Sequence, residues 1–305
     1  MEKVDRELLR AVADLHEVPA GAYNIRKNSD SAGRKSTENI QIITKEDQPG
    51  IDIRIAPGTK NESVHIPVII TETGITEMVY NDFYIGEGAD VLIVAGCGIH
   101  NSGDKKSEHD GIHRFFVGRG AKVRYVEKHY GDGDGSGERV MNPTTEITLE
   151  DDAVCEMEMV QIRGVDSTAR VSRAKLGKNA KLIMTERLMT HGKQSASSDM
   201  LVELNGEGSS AQIVSRSVAK DSSVQVFNPI AVGNAPCRAH IQCDTILMDG
   251  ANVRSIPEIA ANHPDAQIVH EAAIGRINGD QLLKLCTLGL TEEEAEKEII
   301  DGFLK

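Results

Sequence analysis

The chain has 305 residues, of which 47 are acidic and 34 basic, and its formal charge of −13 is the wrong sign for a nucleic-acid backbone or an anionic lipid surface. No apolar run reaches the roughly 18 to 20 residues of a membrane-spanning helix, and the start MEKVDRELLR is amphipathic with mixed charges instead of basic then apolar, so a soluble cytoplasmic protein is expected. Five scattered cysteines, an odd number, point to free thiols in a reducing compartment, and the absence of tryptophan with 3% aromatics argues against a sugar-stacking groove.

Val4, Leu8, Leu9, Val12 and Leu15 recur at helical spacing and stop at Pro19 and Gly21, which predicts one amphipathic N-terminal helix within residues 1–23. The polar stretch from Asn24 to Asp47 reads as a loop leading into short strands.

Between Ile51 and Ile259 a small turn residue repeatedly precedes Ala or Val and a short alternating run: GADVLIV at Gly88, GAKVRYV at Gly120, DAVCEMEM at Asp152, TARVSRA at Thr168, NAKLIMTE at Asn179, SAQIVSR at Ser210, SVQVFN at Ser223, RAHIQCD at Arg238 and ANVRSI at Ala251. The gaps cluster near one or two times a strand-plus-turn unit of 11 to 16 residues. Strands of about four to six residues without helices between them exclude a doubly wound sheet, whose parallel strands need helical crossovers. A sandwich or a solenoid remains. Recurrence of the corner residue in phase favours a parallel β-solenoid over 24–259, because every coil repeats its corners.

After Ile259 the period becomes helical, giving a helical segment over 260–305. Asn278 caps a short helix ending at Gly289. Thr291 with Glu294 forms a capping box for a second helix with Ala295, Ile299, Ile300 and Phe303 on its apolar face. A solvated terminal helix and a partner-docking surface are both open readings of this end.

There is no GxxxxGK[ST] phosphate loop, no GxGxxG after a strand and no GxSxG elbow, so nucleotide, dehydrogenase and hydrolase chemistry have no support. Cys97, His100, His109 and His113 have spacings that suit a metal clip, but the Gly, Asp and Asn between them predict surface histidines on a loop. GDGDGSGE, starting at Gly131, alternates acids like a calcium loop yet lacks the remaining ligand positions, so a flexible acidic turn is expected.

The strongest local feature surrounds Cys243. His270 and Glu271 follow it 27 and 28 residues later, close to one or two solenoid turns, which would put all three near one end of the core. Thiolate, imidazole and carboxylate are competent iron ligands, and His or Glu in place of some thiolates makes a cluster easier to release. The alternative is a cysteine buried as a small hydrophobe.

In this stretch the sequence resembles the SufB/SufD family of the SUF iron-sulfur assembly system. The matching residues are Gln242-Cys243-Asp244, Leu247-Met248, Ile256-Pro257, His270-Glu271-Ala272, Arg276-Ile277, Asp280-Gln281-Leu282, Gly289 through Ala295 and Asp301-Gly302-Phe303, with a fainter match at Leu176 to Asn179 and Ser215-Arg216. The resemblance implies a right-handed parallel β-helix with helical ends, dimerising through its last strands and docking a SufC-type ABC ATPase on its C-terminal helices. It implies a cytoplasmic scaffold, not an enzyme in itself, on which a transient iron-sulfur cluster is built from a sulfur donor and passed to acceptor apoproteins.

By the same resemblance Cys243 is the thiolate ligand, and His270 and Glu271 are the non-thiolate candidates. Neighbours on a strand point to opposite faces, so one of that pair is expected to bind, with Glu271 favoured. SufD proteins carry a CSHGA-like run where this chain has IVHEAA, which makes the resemblance closer to SufB. The sulfur-receiving cysteine of larger SufB proteins has no clear counterpart here, Cys155 being the candidate. A short SufB-like chain is expected to act as a homodimer. The contrasting readings are a SufD-like subunit that docks the ATPase without ligating, and a β-helix polysaccharide lyase or esterase.

Overall fold

Residues 3–305 are described by a computed structural model of the chain. It is a parallel β-solenoid of about eight turns with one helix at its start and two at its end. Two sheets of ten and eleven strands face each other, and from Gly50–Ile55 onward the full-length strands alternate between them. Opposed Cα positions run Val91, Val123, Cys155, Leu182, Ala211, Ala239 and Ile268 along one sheet, so a coil takes 27 to 32 residues. Every second residue points inward and stacks on its counterpart in the next coil. The main core is therefore a ladder of mostly aliphatic side chains, including Val91, Val123, Leu182, Ala211 and Ala239, with Cys155 and Met157 in the same stack.

The corners repeat as the sequence suggests. Asp152, Asn179, Asp221 and Asp249 adopt positive φ there, a conformation open to Asn and Asp because their short side chains hydrogen-bond locally. The acidic GDGDGSGE segment is a corner whose backbone stacks on the preceding one: Gly135 N–H donates to Asn101 O at 3.1 Å and Gly137 N–H to Gly103 O at 3.0 Å. A Cβ on Gly137 would lie 2.1 Å from Lys105 O, so the glycines serve close backbone approach.

Three expectations need correction. The regular strands run ten or eleven residues, as in Lys122–Asp132 and Ser195–Leu204, not four to six. The solenoid interior is partly polar, so the hydrophobic alternation that marks a strand breaks off before the strand does. The stretch after Asn24 is a hairpin, Ala22–Lys27 paired antiparallel with Asp30–Lys35, followed by strand Ile40–Thr44; its polar composition reflects exposure, not loop. The chain also does not turn helical after Ile259. Ala266–Gly275 forms another full strand, in register with Cys237–Leu247. It reads poorly as a strand because it is the last of its sheet and mostly exposed.

Helix α1 (Lys3–Ala13) does not plug the solenoid but lies along one sheet, burying Leu8, Leu9 and Val12. Gly96 and Gly98 make room for it: a Cβ on Gly96 would stand 2.6 Å from Val12 O, and one on Gly98 3.1 Å from Leu8 Cδ2. At the other end, α2 (Gly279–Thr287) is capped by Asn278, and α3 (Glu292–Phe303) by the Thr291–Glu294 capping box. α3 is tied to the solenoid by Lys220 to Glu296 and packs against α2; it buries Ala295 and Ile300, whereas α2 buries none of its residues. No helix among the described residues is long and apolar enough to cross a membrane.

Candidate functional site

Strand Cys237–Leu247 directs Ala239, Ile241, Cys243 and Thr245 into the solenoid and His240, Gln242 and Asp244 outward. Its parallel partner Ala266–Gly275 sets His270 opposite Ile241, Glu271 opposite Gln242 and Ala272 opposite Cys243. His270 therefore shares the inner face with Cys243, and its Nε2 stands 3.1 Å from the Cys243 Sγ. Glu271 takes the outer face, its carboxylate 3.6 Å from Nε2 of His240. The structure brings Cys243 and His270 together and sets Glu271 on the other side of the sheet.

Cys243 is 4% exposed, and burial pushes its thiol up to about 11, with Ser255 pulling modestly the other way. Burial and the neighbouring His240 hold His270 below the usual imidazole value. At neutral pH the pair is thus a thiol and a neutral imidazole, and iron can take the sulfur only after its proton has left. His270 is the nearest base on that face.

The site lies at an unfinished edge. Ala266–Gly275 pairs on one side only, with Val269 and Ile274 about half exposed, and the facing sheet ends with Ile256 and Ile259 similarly uncovered. An unpaired strand with exposed apolar side chains is a template for another strand.

Sequence reasoning missed an internal polar line. On one register of the inner face stand Glu127, Met159, Glu186, Ser215 and Cys243, each opposite the next. Arg170 of the facing sheet bridges the first two carboxylates, 2.6 Å from Glu127 and 3.4 Å from Glu186, and Ser215 donates to Glu186 at 3.1 Å. Burial alone would raise the Glu127 pKa, but Arg170 and nearby histidines outweigh it and hold the carboxylate ionised.

The expectation of loop histidines also needs correction. His109 and His113 lie on strand Ser107–Val117, are 6% and 7% exposed, and point into the solenoid with Gly111 between them. Cys97 faces them from strand Asp90–His100, next to His129. His100 is set apart at the strand end near Asp132. The signal for His129 was present in the sequence: Cys97 and His129 stand at the same offset from the repeated corners Gly88 and Gly120. Cys155 is fully buried among aliphatic side chains, with its thiol pushed up to about 12 by burial, an inert core position in this fold.

Residues 70–303 match the family model described as SUF system FeS cluster assembly, SufBD core domain. The chain is 28% identical to an iron-sulfur cluster assembly SufBD family protein of Methanocaldococcus jannaschii, over 98% of this chain and 96% of that one. It is 28% identical to a protein so described from Archaeoglobus fulgidus, over 88% of this chain and 71% of the relative, and 27% identical to one from Pyrococcus horikoshii, over 89% and 83%.

Proposed function

Because the chain belongs to the SufBD core family of iron-sulfur cluster assembly proteins, we propose that it is an assembly scaffold whose cargo, a nascent iron-sulfur cluster, is held at the last coil by Cys243 and His270. The observation that carries this reading is the 3.1 Å approach of Sγ to Nε2 on the inner face beside an unpaired edge strand. Glu271 faces away and serves as an outer carboxylate, paired with His240.

At this end one copy offers too few donors: Cys243 and His270 share the inner face, and Glu271 faces away toward His240. Two copies meeting at the open edge would supply two Cys243 and two His270, enough for four ligands. The uncovered Val269, Ile274, Ile256 and Ile259 supply the apolar contact such a homodimer needs. Mixed thiolate and imidazole ligation suits a cluster meant to be passed on to acceptor proteins.

No phosphate loop occurs in the sequence, so ATP hydrolysis falls to a partner of the SufC type. Its docking surface is α2 with α3, where Leu283 and Leu288 are 64% and 75% exposed. In this reading the chain is not itself an enzyme, works in the cytoplasm and takes the SufB-like part. The SufD-like alternative keeps the docking surface and drops the ligands.

The test is anaerobic reconstitution of the chain, co-expressed with its ATPase, with iron and sulfide. Visible cluster absorption and acid-labile sulfide in the wild type, lost in Cys243→Ser, support the scaffold. Equal absorption in both sinks the Cys243 assignment, and none in either leaves the docking subunit. A purified complex with one scaffold copy per ATPase pair would contradict the homodimer.

A further inference from the structure

Far from the open end, five coordinating side chains line a small void inside the solenoid. Cys97, His109, His113, Glu127 and His129 line a cavity of about 20 Å³, with Glu77 just behind His109. That space fits about one water, or an ion stripped of its hydration shell.

The hydrogen bonds fix which imidazole nitrogens carry protons. Burial alone would raise the Glu77 pKa, but His109 and Arg26 pull it down to about 2, so its carboxylate only accepts. It lies 3.0 Å from His109 Nδ1, which must therefore be the donor. Tyr125 donates its hydroxyl proton to Glu127 at 2.9 Å, so at 2.6 Å His113 Nδ1 must donate to the Tyr125 oxygen. His129 Nδ1 faces the Gln161 amide oxygen at 3.4 Å, again an acceptor. In the neutral ring each of the three Nε2 atoms then carries a bare lone pair.

Two of these lone pairs, on His109 and His113, face the void. A Cβ built on Gly111 would stand 3.2 Å from His113 Nε2 and 3.4 Å from His109 Nε2, so both ring tips border the space left by that glycine. His129 Nε2 lies 3.8 Å from the Glu127 carboxylate, too far to donate a hydrogen bond to it. An enclosed chamber lined by imidazole lone pairs, a thiol and a carboxylate is suited to a cation. Imidazoles whose other nitrogen is hydrogen-bonded to a carboxylate, phenol or amide oxygen have the supporting arrangement of metal-binding histidines.

We propose that this chamber takes one divalent transition-metal ion of the Fe(II), Co(II) or Zn(II) class, bound through Nε2 of His109 and His113 from one sheet and through His129 and Cys97 from the other. The donors do not already converge at ligating distance. Binding draws the rings inward over Gly111, and Cys97 loses its proton to solvent as the sulfur joins the ion. The site is separate from Cys243 and stands independently of the scaffold reading.

The test uses the full chain carrying Cys243→Ser, which removes the end site, stripped with chelator and titrated anaerobically with Co(II) chloride. The expected result is one equivalent bound, with visible d–d absorption and near-ultraviolet sulfur-to-cobalt charge transfer. Cys97→Ser keeps the visible bands and loses the charge transfer. Tyr125→Phe, which removes the acceptor for His113 Nδ1–H, weakens binding about 10- to 100-fold. Gly111→Ala abolishes binding with every donor retained, and so does His109→Gln with His113→Gln. Absence of cobalt absorption in a Cys243→Ser chain with intact β circular dichroism overturns the proposal. So does unchanged binding in the double-histidine variant, or charge transfer that survives Cys97→Ser.

Discussion

Cys243 and His270 sit on neighbouring parallel strands, two residues off opposite and therefore on the same face of the sheet, with Sγ and Nε2 3.1 Å apart. Glu271, one residue further on, is directed to the other face. In anaerobic reconstitution His270→Ala should therefore lower bound iron nearly as far as Cys243→Ser, while Glu271→Gln should retain most of it. Iron analysis on the three purified variants checks the order, and loss in Glu271→Gln with retention in His270→Ala reverses the assignment.

Burial of the Cys243 thiol implies slow alkylation. With the thiol raised to about 11, the thiolate fraction near neutral pH falls about 100-fold below that of an exposed cysteine. Iodoacetamide labelling followed by peptide mass analysis should show Cys286, which is partly exposed, modified first. Labelling of Cys243 should climb as pH rises toward 11.

Neutral buried histidines make the fold acid-sensitive in a defined window. His113 and His129 are lowered from 6.5 to about 4 by burial, so the unfolded chain takes up their protons first as pH falls. Their contribution is fully present above pH 6.5 and is lost progressively toward pH 4. Glu77, held at about 2, adds a further loss below pH 4.5. Urea midpoints measured from pH 7 to 4.5 should fall, and more shallowly in His129→Gln.

Arg170 is 4% exposed and serves two buried carboxylates, so Arg170→Met strands Glu127 and Glu186. The expected cost is about 3 to 5 kcal/mol in urea unfolding. Adding Glu127→Gln to that variant should recover part of it; no recovery would mean that Arg170 acts mainly by packing.

Gly96→Ala pushes a methyl group against Val12 of α1 and the Lys128 carbonyl. A loss of about 1 to 3 kcal/mol is expected, with faster amide exchange concentrated in residues 8–12. Unchanged exchange there would show that the helix does not depend on this contact.

The coil architecture was legible because its corners are spelled by small residues at fixed positions, as at Gly88 and Gly120. That Cys243 and His270 stand a whole number of turns apart, one or two, was legible for the same reason, and the register makes it one. Which of His270 and Glu271 faces Cys243 was not, because it depends on the register between two strands and a one-residue slip exchanges the faces. The interior histidines were hidden differently. Gly111, Asp110 and Asn101 look like loop chemistry, yet Gly111 stands inside a strand where a side chain would fill the chamber. Polar residues such as Glu127 and Ser215 face inward and so masked the true strand lengths.

A stack of coils holds each layer mainly through its two neighbours, and the final layer has only one. Cys243 and His270 occupy that final pairing, so the cargo site is built where the chain is most prone to fray. Whatever settles there acts as a missing layer: it closes the stack and slows peeling from that end. Loading and release can then be followed without any chromophore, as the gain and loss of amide protection in residues 266–275.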